Sequence, residues 1–230
     1  ESVSSSDDKR ISMMPMNQMT SVRLYNISNR ESPVLIREIV AEGYLNGTRK
    51  TGEMLYLITN VHPNYWIMEG KEEVVLRPYV YDSAQRKDSK LIDYEDISIL
   101  PGAMEPSYSV ITAMDLSSPK ENKVVTKGYL GGSEQLYMSA ENLYLTATLY
   151  QGDAMSWQQG KTNTELFKFA LSGVDVTFQK SAELKGNILN QFSMDEHDGY
   201  FRVVTTEGNM WDDKNPSENH LFIMNHELKL

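Results

Sequence analysis

The chain has 230 residues, with 32 acidic against 22 basic side chains and a net charge of −10. That balance, with no Lys/Arg-rich run to displace counterions from phosphates, excludes a general nucleic-acid binder and speaks against anionic membrane surfaces. The absence of cysteine excludes disulfides, thiol nucleophiles and cysteine-ligated zinc, and no apolar run approaches the roughly 20 residues that span a bilayer.

The chain opens on ESVSSSDDKR, polar and without an initiator Met or a signal peptide, and closes on FIMNHELKL. Both ends read as cuts through a longer polypeptide. From RLYNIS at Arg23 onward the apolar residues alternate with a period of two, in short runs rich in β-branched and aromatic types. Gly43 opens a GYL segment that leads to EMLYLIT. A stretch between Asn60 and Ser107 then breaks the rhythm with VVLRPYVY and the mixed-charge DSAQRKDSKLIDYED. SVITAMDL and a second GYL, at Gly128, restore it, and YLGGSEQ reads as a turn. Four strand candidates follow, EQLYMS (134–139), NLYLTATLY (142–150), TELFKFALS (164–172) and VTFQKSAEL (176–184). GNI at Gly186, DEHDG, YFRVVTT and LFIMNH complete the chain.

Three columns recur in the same order along this pattern: Leu24, Ala113, Leu166 and Leu221; Leu55, Leu143 and Tyr200; and Gly43, Gly128 and Gly186. They define a unit of about 55 residues with one unit enlarged by about 30, and the extra length falls at the irregular insertion. Four short antiparallel strands near this period specify a β-propeller blade, because a single blade has two apolar faces and buries both only by stacking on neighbours. The fold class expected is therefore all-β, a β-propeller fragment of about three and a half four-stranded antiparallel blades. A β-sandwich, which needs no repeat, is the alternative. The parse is one propeller region over 1–230: a partial blade at 20–42, a blade at 43–130 carrying the insertion 61–107, a blade at 131–185 and a partial blade at 186–230. Closed propellers have 4–8 blades, so closure requires further sequence or a second piece.

GYL, the LYLIT-type second strand and above all DGYFRVVTT resemble a bacterial family of secreted proteins whose C-terminal β-propeller domain is distantly related to WD-repeats. The similarity runs from about Val22 to the end. It implies a propeller fold and a secreted or cell-surface location, and it implies no activity and no catalytic residues.

Two groups of residues bear on function. Trp66, Trp157 and Trp211 each fall in the loop after a blade's second strand, on the face shared with the GYL segments, so Tyr44 and Tyr129 are expected beside them. Spacers packed between blades are the plainer reading, and an aromatic rim for a peptide or glycan is the functional one. The insertion leaves the same face in this parse, with Arg77, Tyr79, Tyr81 and Asp82 as candidate contacts for a partner or a lid. Asp195, Glu196, His197 and Asp198 crowd together, but their place between a first and a second strand makes them a hairpin turn before a calcium site. Calcium on Asp195, Glu196 and Asp198 is the minority alternative, and no other cofactor is expected. Enzyme signatures are thin: four histidines, and no zinc-protease, nucleophile-elbow or phosphate-loop motif. The expectation is a non-enzymatic binding or scaffolding module whose partner is a protein, peptide or glycan at the cell surface, with no membrane insertion. A carboxylate- or metal-dependent extracellular hydrolase or lyase is the alternative. The open strand edges and blade faces also predict self-association of the fragment.

Overall fold

A computed structural model of the protein describes residues 18–63, 75–85, 88–102, 106–151, 161–208 and 216–230. The strands in chain order are β1 (Met19–Asn26), β2 (Val34–Glu42), β3 (Tyr44–Thr51) and β4 (Met54–Val61), then the short β5 (Tyr79–Asp82), β6 (Lys90–Leu91) and β7 (Ile97–Ile99). There follow β8 (Tyr108–Asp115), β9 (Val124–Leu130), β10 (Gln135–Met138), β11 (Asn142–Gln151), β12 (Lys161–Ser172) and β13 (Asp175–Lys185). The last are β14 (Met194–His197), β15 (Tyr200–Glu207) and β16 (Glu218–Met224).

These strands form four sheets, β1-β2-β5-β6, β3-β4-β8-β9-β7, β10-β11-β12-β13 and β14-β15-β16. Every pairing is antiparallel except that of β7 with β9. The third sheet is the repeat in its plainest form, a four-stranded meander. The second has the same four strands in order, β3, β4, β8 and β9, with β7 added outside.

The four sheets stack in sequence order, and alternation along each strand fills the layers between them. Ala41 of the first sheet meets Leu57, Val61, Tyr108 and Val110 of the second. The opposite face of that second sheet presents Tyr56, Ile58, Ile111 and Ala113 to Leu143, Leu145, Phe167 and Phe169 of the third. Tyr144 and Leu166, next in line on the third sheet, point the other way, onto Phe201, Val203 and Met224 of the fourth. The Tyr144 and Phe201 rings stack at 4.0 Å between centroids. A strand such as β11 is apolar on both faces because it sits between two layers, so strict alternation fades in the interior sheets. It survives on β15 and β16, where Phe201, Val203 and Met224 are buried while Tyr200, Val204, Leu221 and Ile223 are exposed.

The insertion leaves and rejoins the second sheet between β4 and β8, at the end where Val61 pairs with Tyr108, and its described residues then run away from that loop face. It forms a strap along the outer rim: β5 pairs with β2, the outermost strand of the first blade, and β7 pairs with β9, the outermost strand of the second. Ile92 is buried in the layer between these two sheets, with Val80 and Ile97 packed beside it. Unpaired edges template unwanted association, and here one segment covers edges on two neighbouring blades. Arg37 latches the strap. It is 1% exposed, its Nε and Nη2 donate to the two carboxylate oxygens of Asp82 at 2.8 and 2.5 Å, and its Nη1 donates to the carbonyls of Pro119 and Asn122 at 2.7 and 2.8 Å. One guanidinium thereby joins β2, the end of β5 and the β8–β9 turn.

The glycine column also needs correcting. The residues that follow an outermost strand and turn the chain inward are Gly43 (φ 102°), Gly131 (φ 120°) and Gly186 (φ 82°). Gly128 lies three residues before Gly131, inside β9, and its lack of a side chain serves another purpose: Ile97 and Ile92 of the strap lie over it, 3.4 and 3.7 Å from where a Cβ would stand. The second column slips as well. Phe201, not Tyr200, is the inward residue matching Leu143, and a one-residue slip exchanges the two faces of a strand.

Candidate functional site

Trp66, Trp157 and Trp211 lie outside the described residues. Tyr44 and Tyr129 do not form a pair. Tyr129 was expected at the rim but is buried among the second and third sheets at 4% exposure, its ring edge-on to Phe169 and its hydroxyl donating to the Val176 carbonyl at 3.2 Å. Desolvation raises its pKa to about 12, so the phenol stays protonated. The corrected register explains the difference. Tyr129 precedes the inward-turning glycine by two residues, where the first blade has buried Ala41, whereas Tyr44 follows its glycine.

Tyr44 is exposed at the start of β3, where the loops after second and fourth strands meet. Its ring stacks on His62 at 5.6 Å, and its hydroxyl lies 3.3 Å from His62 Nε2. Beneath it a buried polar network ties two blades together. Asn60 Nδ2 donates to the Tyr44 hydroxyl at 3.3 Å and also to the Ser133 carbonyl; Asn46 Nδ2 donates to Ser133 Oγ at 3.0 Å; and Ser109 Oγ donates to Ser133 Oγ at 2.9 Å. Ser133 belongs to the YLGGSEQ turn, so that turn is also a joint. The sequence showed the turn but not its partners, which lie 24, 73 and 87 residues away.

The acidic stretch forms the β14–β15 hairpin, with Asp198 (φ 50°) and Gly199 (φ 78°) at its tip, the backbone that a tight two-residue turn demands. Its carboxylates diverge. Asp195 is held by Arg202, whose Nε donates at 2.8 Å; that hydrogen bond, over a smaller opposing cost of burial, lowers its pKa. Glu196 turns back to accept from Asn142 Nδ2 at 2.8 Å and from the Tyr144 hydroxyl at 3.2 Å. Asp198 faces solvent beside His197. Among the described residues, the carboxylates and imidazole that do converge are Glu207, Glu218 and His220, with Lys185 Nζ 2.5 Å from Glu207 Oε2. Neither column nor motif marked that trio, because its members face each other only across the β15–β16 ladder.

On the outer rim the insertion builds a cleft against β9. It is lined by Tyr81, Asp82, Gln85, Lys90, Asp93 and Asp96 on the strap side and by Lys123, Val124, Val125 and Thr126 opposite, with Ile39, Val80 and Ile92 at its base. Two of the four insertion candidates, Tyr81 and Asp82, thus share a cleft. Asp82 is occupied by Arg37, and Lys90 pairs with Asp93 at 3.0 Å. Arg77 and Tyr79 have structural duties instead. Arg77 donates to the Ile92 carbonyl at 2.9 Å and lies 4.0 Å over the Tyr94 ring, and the Tyr79 N–H donates to Glu42 Oε2 at 2.8 Å.

Sheets built on consecutive antiparallel strands and stacked in chain order, the two interior ones hiding both faces against neighbours, define a propeller-type repeat protein. The β-propeller domain family matches the chain over residues 1–230, and the chain belongs to that family. It is also similar to the uncharacterized protein MJ1554 of Methanocaldococcus jannaschii, at 36% identity over 67 residues, which is 29% of this chain and 10% of that protein. The chain therefore matches a tenth of that relative's length. No solved structure matches.

Proposed function

We propose that this chain is a non-enzymatic binding or scaffolding module of a secreted or surface-attached protein, taking a protein, peptide or glycan as partner. The observation that carries this reading is the rim cleft, where a non-repeating segment departs from the blade pattern to bring Tyr81, Lys90, Asp96 and Lys123 around an open groove. Mixed polar and aromatic linings of this kind suit recognition. Asp82 and Asp93, already engaged by Arg37 and Lys90, are poorly placed to act as a free acid and base. The surface location follows the resemblance to the secreted bacterial family. Glycan and peptide arrays probed with the chain test the proposal. Hits that vanish when Tyr81 and Lys123 are both replaced by Ala support it, whereas turnover of an arrayed ligand without retention would sink it.

The exposed face of the fourth sheet supports self-association. Leu221 at 62% and Ile223 at 48% exposure stand beside Tyr200 and Val204 on a surface whose counterpart in every interior sheet is covered. Replacing Leu221 and Ile223 together by Lys is expected to lower the average mass in light scattering at high protein concentration. A wild-type chain that stays monomeric there would count against the idea.

A further inference from the structure

Among the described residues the strap leaves a stretch of the β9 edge uncovered, and that stretch forms a wall of the cleft. β7 pairs only with Gly128–Leu130, so the lower half of β9, Val124–Lys127, is paired with β8 on one side and with no strand of the described residues on the other. The Leu130 carbonyl accepts from Leu100 N at 2.9 Å, which fixes the direction of the open side. Strand alternation then aims the N–H and C=O of Thr126, and those of Val124, outward into the groove. Elsewhere the same segment covers edge, running β5 along β2, β6 along β5 and β7 along β9. At Asp93 the strap instead swings away through the 3-10 turn Tyr94–Asp96 and opens the space in front of Val124–Thr126.

We infer that this slot receives an extended peptide of about four residues by strand addition to β9, in line with β7. The inference rests on the binding reading above and names its ligand class. The charges at the two ends set the preference. Lys123 stands at the outer end and Asp96 at the inner end; the neighbouring charges Asp82 and Lys90 are already matched, by Arg37 and Asp93. A peptide with an acidic group toward Lys123 and a basic one toward Asp96 satisfies both, while its backbone bonds the open edge and Tyr81 lies against its side chains.

The test pans a phage-displayed library of random decapeptides on the chain and measures the enriched peptides by fluorescence polarisation. Thr126→Pro removes the outward N–H and keeps the backbone ladder to β8, losing there only the hydroxyl contact of Thr126 with Thr112 Oγ1 at 3.1 Å, at a position where edge strands accept proline. It is expected to weaken binding about tenfold, the loss of one or two backbone hydrogen bonds. Peptides N-methylated at alternate residues are expected to lose binding to the wild-type chain, and Lys123→Glu to reverse the charge preference. Because the methylated peptides act on the unaltered protein, they decide the matter even if Thr126→Pro fails to fold. Binding that survives both methylation and Thr126→Pro, yet is lost in Lys123→Glu, overturns strand addition and leaves the cleft as a binding site. A library that enriches nothing overturns the peptide assignment, while glycan hits on the arrays would preserve the broader reading. If neither enriches, both fall.

Discussion

Asp82→Ala is expected to lower the unfolding free energy by about 3–5 kcal/mol, because it strands a buried guanidinium. Arg37 and Asp82 side chains are 1% and 13% exposed, and the two carbonyls that also hold Arg37 compensate hydrogen bonds but not its charge. In a domain of this size such a loss lowers the melting temperature by roughly 6–20 °C. The double variant Arg37→Met with Asp82→Leu removes both charges and is expected to be more stable than Asp82→Ala alone, since a matched apolar pair avoids the desolvation cost. Asp195→Ala provides the contrast. Its pair with Arg202 is 49% and 39% exposed, so the expected loss is only about 0–1 kcal/mol. Urea unfolding of the four proteins measures all of this. Equal losses in Asp82→Ala and Asp195→Ala would show that the strap is not latched by this pair.

That latch also marks the limit of what the sequence could reveal. The strands were legible because period-two alternation is a local signal, and Leu24, Ala113, Leu166 and Leu221 do fall on corresponding strands, β1, β8, β12 and β16. Their stacking was legible too, because β11 and β12 carry apolar residues on both faces and a lone sheet could not hide them. The partner of the insertion was not. Asp82 meets Arg37 across 45 residues, on a strand that joins the sheet of the blade before, and nothing in VVLRPYVY states that it pairs backward with β2. The glycine column failed for a different reason. Gly128 and Gly131 are both required, one because the strap lies over it and one because the chain reverses there, and the GYL spelling favoured the wrong one. Tyr129 went to the rim in the reading and to the core in the structure as a direct consequence. The acidic turn was legible because Asp-Gly at a hairpin tip is dictated by local backbone geometry.

The inward-turning glycine carries the second large expected effect. At Gly43, φ is 102°, a region that side chains rarely adopt, and a Cβ would overlap the Asn60 carbonyl. The fourth sheet repeats this contact, with a Cβ on Gly186 meeting the Thr206 carbonyl at 2.8 Å; Asn60 and Thr206 are each the next-to-last residue of the strand they end. The close approach thus recurs in two blades, where it brings the first strand of the blade against the second as the chain enters from the blade before. Gly43→Ala is expected to cost about 3 kcal/mol or more, combining backbone strain of roughly 1–3 kcal/mol with the displacement of a packed strand. Gly52→Ala tests the steric half of the argument. Gly52 also has positive φ, 55°, but nothing lies within 4 Å of its Cβ position, so only about 1–2 kcal/mol of left-handed strain is expected. Thermal unfolding of the two variants separates these contributions. Equal losses would mean that torsion alone sets the requirement for glycine, and that the strand following each inward turn has room to move away from its neighbour.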